Sequence, residues 1–186
     1  MKPEAHIIVA HDVHIAGDGL RRRAKVLALC SILFLPLPAA AQWPQEDEGT
    51  FEGFWAMSGT MHILELPDRE TVAGGRLTGT VTVNTSQGPV PSFETDCVVF
   101  ADTRSKGVGR CVWTATTGDL VLVDLESDGQ PGEERVRGVF SGGTGRFEFL
   151  SGRFHFEWNY SVSGGKDATL DGATYEMRGQ YRLRRP

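Results

Sequence analysis

A run of alternating aromatic and polar residues constrains the fold of this 186-residue chain more than any other feature. Over residues 153–160 every second side chain is aromatic, and the side chains between them are polar. A period of two is typical of a β-strand with one buried face and one exposed face. A row of aromatic rings needs a curved sheet or a second sheet to cover it, so the run predicts an all-β fold. The aromatic residues are Phe154, Phe156, Trp158 and Tyr160.

The rest of the chain extends the same pattern. Apolar alternation, clearest over residues 76–84, is separated by polar turns, and no segment has the period of an amphipathic helix. We count about eight strands. This count predicts a single antiparallel, roughly eight-stranded β-barrel, because closure removes exposed strand edges. A β-sandwich is the alternative. An outer-membrane barrel is disfavoured by the short strands and by a C-terminus without a terminal aromatic residue.

A glycine-rich segment, residues 141–145, precedes the aromatic run. Gly142, Gly143 and Gly145 tolerate positive φ, so they predict a structural turn with at least one glycine in the left-handed region. We expect this turn to be tight, so that residues 135–140 pair directly with the aromatic strand. A register shift of one residue would turn the aromatic row to the opposite face.

The beginning of the chain predicts a leader rather than part of the fold. A basic stretch at residues 21–25 is followed by an apolar stretch and by alanines at residues 39–41, which is the pattern of a cleaved signal peptide. The expected location is therefore periplasmic or secreted, with no membrane-spanning segment after cleavage. The predicted organisation is an N-terminal extension and signal peptide over residues 1–41, a disordered acidic arm over 42–49, and the β-barrel domain over 50–186.

The charge of the chain bears on its partners. The net charge is −5 at pH 7, and removal of the leader takes away more basic residues than acidic ones. No basic patch with interleaved aromatic residues is present, so nucleic acid is not an expected partner. Alternating Arg178, Arg182 and Arg184 predict the solvated face of a last strand.

Two of the three cysteines, Cys97 and Cys111, lie outside the leader and are placed symmetrically about residue 104. The segments around them predict two strands joined by a turn. This hairpin puts the cysteines opposite each other, within the Cα separation of roughly 4.4–6.8 Å that a disulfide requires. A metal site is disfavoured because no other cysteine or histidine lies at ligand spacing. We therefore predict a Cys97–Cys111 disulfide, no metal site and no cofactor.

The candidate ligand-binding residues are the aromatic side chains predicted to face the barrel interior. Small eight-stranded barrels either fill with side chains or hold one small ligand. The aromatic residues therefore form either a packed core or the walls of a pocket for a small hydrophobic ligand. They are Trp55, Trp113, Phe154, Phe156, Trp158, Tyr160, Tyr175 and Tyr181.

No catalytic motif is apparent. The chain contains no G-x-S-x-G, H-E-x-x-H or phosphate-binding glycine loop. Outside the leader the histidines are His62 and His155, and the alternation places His155 on the polar face. The segment beginning at Asp124 imitates the start of a calcium loop, but Arg135 occupies the position of the bidentate glutamate. A solvated loop is therefore expected, and catalytic residues are unassigned.

The glycine turn also carries a resemblance to a known family. Residues 142–147, Gly-Gly-Thr-Gly-Arg-Phe, followed by Ser151-Gly152 and an aromatic strand, resemble the GGTG segment of the allene oxide cyclase/dirigent-like barrels. Small exported bacterial proteins of unassigned function share this segment. Residues 53–55, Gly-Phe-Trp, and 77–80, Leu-Thr-Gly-Thr, are similar to calycin barrels such as the avidins. The resemblance implies an eight-stranded barrel with a hydrophobic interior, and it supplies no catalytic residues.

Three functions are compatible with these observations. The preferred one is an exported, non-enzymatic barrel that binds a small apolar or aromatic ligand or a partner protein. The alternatives are an isomerase or cyclase acting inside the barrel, as the resemblance implies, and a structural envelope protein. An open cavity with an inward Tyr, Glu or Asp favours catalysis, a dry aromatic pocket favours binding, and complete filling favours a structural role. The sequence does not indicate an oligomeric state.

Overall fold

The computed structural model describes residues 48–67, 70–102, 105–127 and 135–184, and the predicted leader and most of the acidic arm lie outside these residues. The first strand begins at Glu48, so the last two residues assigned to the arm belong to the strand. The described residues form nine strands: β1 (Glu48–Glu65), β2 (Thr71–Thr85), β3 (Gly88–Pro89), β4 (Phe93–Asp102), β5 (Ser105–Ala115), β6 (Leu120–Ser127), β7 (Arg135–Gly143), β8 (Leu150–Gly164) and β9 (Asp167–Leu183).

The strands close into an antiparallel barrel. In the order β1-β2-β4-β5-β6-β7-β8-β9 each strand pairs with the next, and β9 returns to pair with β1. The two-residue strand β3 is an extra one that pairs with the end of β2. Every long strand therefore has two neighbours and no free edge. The prediction of a single, eight-stranded antiparallel barrel is confirmed, and the sandwich alternative is wrong.

The two ends of the barrel carry different connections. We call the end with the β1–β2, β4–β5, β6–β7 and β8–β9 connections the upper end. The other end, with the β2–β4, β5–β6 and β7–β8 connections, is the lower end. Alternate residues of each strand face the interior, and the fully buried side chains among them form one apolar core.

The disulfide joins two neighbouring strands inside the barrel. Cys97 on β4 lies directly opposite Cys111 on β5. The two sulfur atoms are 2.08 Å apart, and both residues are 1% exposed. The predicted disulfide is confirmed, because strict alternation on both strands of the hairpin carries the two side chains to the same face.

A bulge in β9 places one of the predicted interior residues on the outside of the barrel. Tyr175 is predicted to face inward, but its side chain is 56% exposed, whereas Met177, two residues further along the strand, is buried. The pairing between β8 and β9 shifts at this point, and Glu176 has a φ of 50°. An extra residue in one strand reverses the alternation on one side of it. The prediction that Tyr175 lies inside the barrel is therefore wrong.

The glycine-rich segment is wider than a tight turn. Strand β7 continues to Gly143, a single 3-10 turn follows over Gly145–Phe147, and β8 begins at Leu150. Gly142 and Gly145 have φ values of 131° and 54°, as a structural glycine turn requires. The expectation of a tight turn is wrong, because the connection contains a 3-10 turn of its own. This longer connection brings Phe147, 4% exposed, into the lower end of the core.

Candidate functional site

A layer of large side chains fills the middle of the barrel. The Trp55 ring packs edge-on against Trp113 and Phe156, with centroid distances of 5.4 and 5.8 Å. Two buried threonines satisfy Trp55: its Nε1 donates to Thr95 Oγ1 at 3.0 Å, and its backbone N donates to Thr174 Oγ1 at 2.9 Å. We define the central layer as Trp55, Trp113, Phe154, Phe156 and Met177.

One cavity lies on each side of the central layer, and the two cavities share no lining residue. The upper cavity is the larger, at about 220 Å³, and its walls are mainly apolar. On β8 its wall is a row of aromatic rings: Phe156 and Trp158 have centroids 6.1 Å apart, and Trp158 and Tyr160 have centroids 6.4 Å apart. Tyr160, nearest the upper end, is 41% exposed.

The upper cavity exists because the strands across the barrel from β8 carry small side chains. In the strand order, β4 lies four positions from β8 in either direction and is therefore opposite to it. Half of the lining residues from β2, β4 and β5 are Ala or Gly, namely Ala73, Ala101, Gly107 and Gly109, and the other half are Leu77, Val99, Phe100 and Val108. A β-carbon added at Gly109 would lie 3.1 Å from Val99 Cγ1, so this wall is closely packed without a side chain there. A small-residue wall facing an aromatic wall leaves space between them.

The upper cavity is electrically neutral as far as the described residues define it. No Asp, Glu, Lys, Arg or His lines it among those residues, and its polar side-chain groups come from Ser127, Trp158 and Tyr160. The Ser127 hydroxyl accepts a hydrogen bond from the backbone N of Gly107 at 3.1 Å. The described walls are therefore mainly apolar and offer no carboxylate–histidine or similar acid–base pair.

The aromatic residues proposed from the sequence fall in different places. Phe156, Trp158 and Tyr160 line the upper cavity, and Trp113 and Tyr181 line the lower one. Trp55 and Phe154 are buried in the central layer and line neither cavity, while Tyr175 is outside the barrel.

Sequence reasoning missed part of the upper wall. Met57 and Met61 on β1, and Leu170 on β9, line the cavity. Both methionines are an even number of residues from Trp55 on β1. The alternation along that strand therefore predicts that they face inward with it.

The ionisable residues considered from the sequence lie away from both cavities. His62 Nδ1 is 2.5 Å from Asp167 Oδ1, and both side chains are 77% exposed. His155 is exposed on the outer face of β8. Arg110 Nε donates to Asp124 Oδ1 at 2.7 Å, and this hydrogen bond holds the pKa of the Asp124 carboxyl below its ordinary value. Residues 128–134 of the calcium-like segment lie outside the described residues.

The fold and cavity define the chain as a closed antiparallel β-barrel with an apolar interior cavity. No family model matches the chain, and no curated protein matches it. Among solved structures it is similar to the pterocarpan synthase dirigent protein GePTS1, at 13% identity and a TM-score of 0.39, over 80% of this chain and 100% of that one. At that TM-score the likeness carries no inference, so the barrel is defined by its own strand pairing.

No helix among the described residues is long and apolar enough to cross a membrane.

Proposed function

We propose that this chain is an exported, non-enzymatic β-barrel that binds a small apolar or aromatic molecule in the upper cavity. The observation that carries the proposal is the cavity itself, about 220 Å³ between the aromatic row of β8 and the small residues opposite. An apolar cavity of about 150 Å³ in another protein stays dry and binds benzene. The upper cavity is therefore large enough for a ligand of one or two rings.

The walls favour a flat, uncharged ligand. Trp158 and Tyr160 offer ring faces, and aromatic rings pair favourably in offset or edge-on arrangements at centroid distances of about 4.5–7 Å. Burial of a charged group beside these apolar walls would cost several kcal/mol without a partner charge, on the order of the penalties known for buried ions. The ligand's polar atoms would lie near Ser127 and Tyr160.

Two features support export. The leader pattern over residues 1–41 is that of a cleaved signal peptide. The Cys97–Cys111 disulfide is of the kind that persists in oxidising compartments. A binding role is supported by the upper-cavity walls, where the described lining residues include no Asp, Glu, Lys, Arg or His to pair with Tyr160 as an acid–base partner. Tyr160 is the residue that the alternative, catalysis inside the barrel, would use.

Binding of a neutral probe tests the proposal. We expect the two-ring probe 1-aminonaphthalene to bind with saturation and with blue-shifted fluorescence, and the anionic 8-aminonaphthalene-1-sulfonate to bind at least tenfold more weakly. Ala73→Leu fills the cavity from the small-residue wall and should weaken 1-aminonaphthalene binding at least tenfold. Ala56→Leu makes the same change on the exposed face of β1 and should leave binding unchanged.

Failure of the proposal would be clear in the same experiment. Non-saturable fluorescence, or equal affinity of wild type and Ala73→Leu, would exclude the upper cavity as the site.

Native mass spectrometry of the protein isolated from its own cells addresses the natural ligand. A cavity ligand retained through purification adds its mass to that of the intact chain.

A further inference from the structure

The two hydroxyl groups of the upper cavity lie at its upper end. Ser127 is the last residue of β6, and Tyr160 lies near the end of β8; both strands end at the upper end of the barrel. The opposite end of the cavity adjoins the central layer, where Met57 and Phe156 form an apolar floor. An occupant therefore meets apolar groups at the floor and hydroxyl groups near the mouth.

Ser127 occupies an inward position on β6. It follows Val123, which is buried, and Leu125, which lines the cavity, at intervals of two residues. Directly opposite Ser127 on β7 is Val136, which also lines the cavity. Residues directly opposite each other in an antiparallel pair project to the same face of the sheet. The Ser127 side chain therefore projects to the inner face of the barrel wall.

A backbone hydrogen bond defines the role of the Ser127 hydroxyl. Gly107 N donates to Ser127 Oγ at 3.1 Å, so the oxygen is the acceptor in this contact. A serine hydroxyl also has one proton to donate, and none of the described residues accepts it. A β-carbon added at Gly107 would lie 2.7 Å from Ser127 Oγ, so a side chain there would displace the hydroxyl. The bare backbone at Gly107 thus preserves a hydrogen-bond donor beside the cavity.

This donor discriminates between ligands of the cavity. A ligand that fills the cavity displaces water from Ser127, and a ligand without an acceptor leaves the hydroxyl proton unsatisfied, which costs free energy. An anionic acceptor would satisfy the proton, but no cationic side chain among the described lining residues would offset its burial. A single uncharged oxygen near the mouth satisfies Ser127 without this cost.

We propose that the ligand of the upper cavity is an uncharged ring compound with one oxygen acceptor, and that Ser127 selects it by donating a hydrogen bond to that oxygen. The ring lies toward the apolar floor and the oxygen toward the mouth. This inference rests on the proposed function, since it assigns the ligand class and the ligand orientation for the same cavity. An aryl ketone or aldehyde has the required combination of groups, and a pure hydrocarbon lacks the acceptor.

Acetophenone and α-methylstyrene are a matched pair of probes, because a CH₂ group replaces the carbonyl oxygen and the shape is kept. Displacement of 1-aminonaphthalene measures the affinity of each. We expect the preference for acetophenone over α-methylstyrene to fall about fivefold in Ser127→Ala, as for the loss of one neutral hydrogen bond. Ser127→Thr keeps the hydroxyl and should keep the wild-type preference. Ser161→Ala, on the exposed face of β8, is the control and should also keep it.

The carbonyl ¹³C signal of labelled acetophenone is a second readout that needs no variant. In the complex with the wild-type protein, a hydrogen bond to the carbonyl oxygen should move this signal downfield from its position in an alkane solvent. A bound signal at the alkane position would overturn the proposal even if Ser127→Ala did not fold.

The results separate this proposal from the binding function on which it rests. Saturable binding of both probes with the same preference in wild type and Ser127→Ala rejects the role of Ser127 and leaves the binding function standing. Loss of the preference in Tyr160→Phe and not in Ser127→Ala would likewise assign the donor to the wrong residue. Failure of 1-aminonaphthalene, acetophenone and α-methylstyrene to bind would overturn both proposals.

Discussion

Arg146 Nε lies 2.9 Å from Asp119 Oδ2, and this ion pair joins the β7–β8 connection to the β5–β6 turn. Two further hydrogen bonds link the same segments: Leu120 N donates to Thr144 Oγ1 at 3.0 Å, and Thr144 N donates to Leu120 O at 2.9 Å. Together they hold the 3-10 turn that places Phe147 in the core. Residues 144–147, Thr-Gly-Arg-Phe, thus have a structural role at the lower end of the barrel.

The ion pair predicts a pH dependence of stability. The hydrogen bond from Arg146, followed by one from Thr117, lowers the pKa of Asp119 below its ordinary value. A carboxyl with a lowered pKa in the folded state contributes stability above its unfolded pKa of about 3.9, and this contribution is lost as the pH falls through the lowered value. We expect Asp119→Asn to melt at a lower temperature than wild type near neutral pH, with a smaller difference at about pH 3.

Asp171→Asn is the matched control for this measurement, because Asp171 is exposed on β9. Its melting temperature should follow that of wild type at both pH values. A deficit of Asp119→Asn that is equally large at neutral and acidic pH would show that charge at Asp119 is not the source of the effect.

The disulfide should contribute about 3 kcal/mol to the free energy of unfolding, because Cys97 and Cys111 close a loop with a sequence separation of 14 residues. Urea unfolding of the Cys97→Ser/Cys111→Ser variant against the oxidised wild type measures this difference. A chain without the leader, and so without Cys30, should show no reactive thiol when it is denatured without reductant. Two reactive thiols would contradict the Cys97–Cys111 disulfide.

Adjacent residues on β8 should respond very differently to truncation. Phe156 is buried in the central layer, so Phe156→Ala should lower the free energy of unfolding by about 3–5 kcal/mol. His155 is on the exposed face, so His155→Ala should change it by less than about 0.5 kcal/mol. Equal effects in chemical denaturation would mean that the alternation along β8 is misassigned. Trp158, which is partly exposed beside the cavity, should fall between the two.

Gly143 should not tolerate a β-carbon. An added β-carbon would collide with the carbonyl oxygen of Leu120 and would lie 2.8 Å from Cβ and O of Phe147. We expect Gly143→Ala to destabilise the protein by about 1–3 kcal/mol, as overpacked sites do. Gly165→Ala is the control, because an added β-carbon there has no neighbour within 4 Å. Similar melting temperatures for both variants would argue against the close packing of the β7–β8 connection.

The fold was largely predictable because its main signals are local. The parity of Phe154, Phe156 and Trp158 survives in the structure, since the extra residue of the bulge beside them lies on β9 and not on β8. The symmetry of Cys97 and Cys111 about one turn likewise needs only regular pairing.

The errors arise where local regularity stops. Nothing in the composition of β9 indicates that Glu176 adopts a positive φ, so the outward position of Tyr175 follows from pairing with β1 and β8 and not from the β9 sequence itself. The inward path of Phe147 depends on contacts with the β5–β6 turn, which is distant in sequence. The upper cavity depends on Ala and Gly residues of three strands facing β8 across the closed barrel, which no single segment reveals.

The pairing of β1 with β9, in which Glu48 lies opposite Arg182, has a consequence for folding. The long strands from β2 to β8 pair with strands close to them in the sequence, whereas one side of β1 pairs only with β9, the last strand of the chain. Contacts so distant in sequence form late because a long loop must close first. A chain that lacks β9 is therefore an open sheet in which β1 and β8 are unpaired edge strands. Pairing of β9 with both of them removes these edges and so protects the protein from edge-to-edge association.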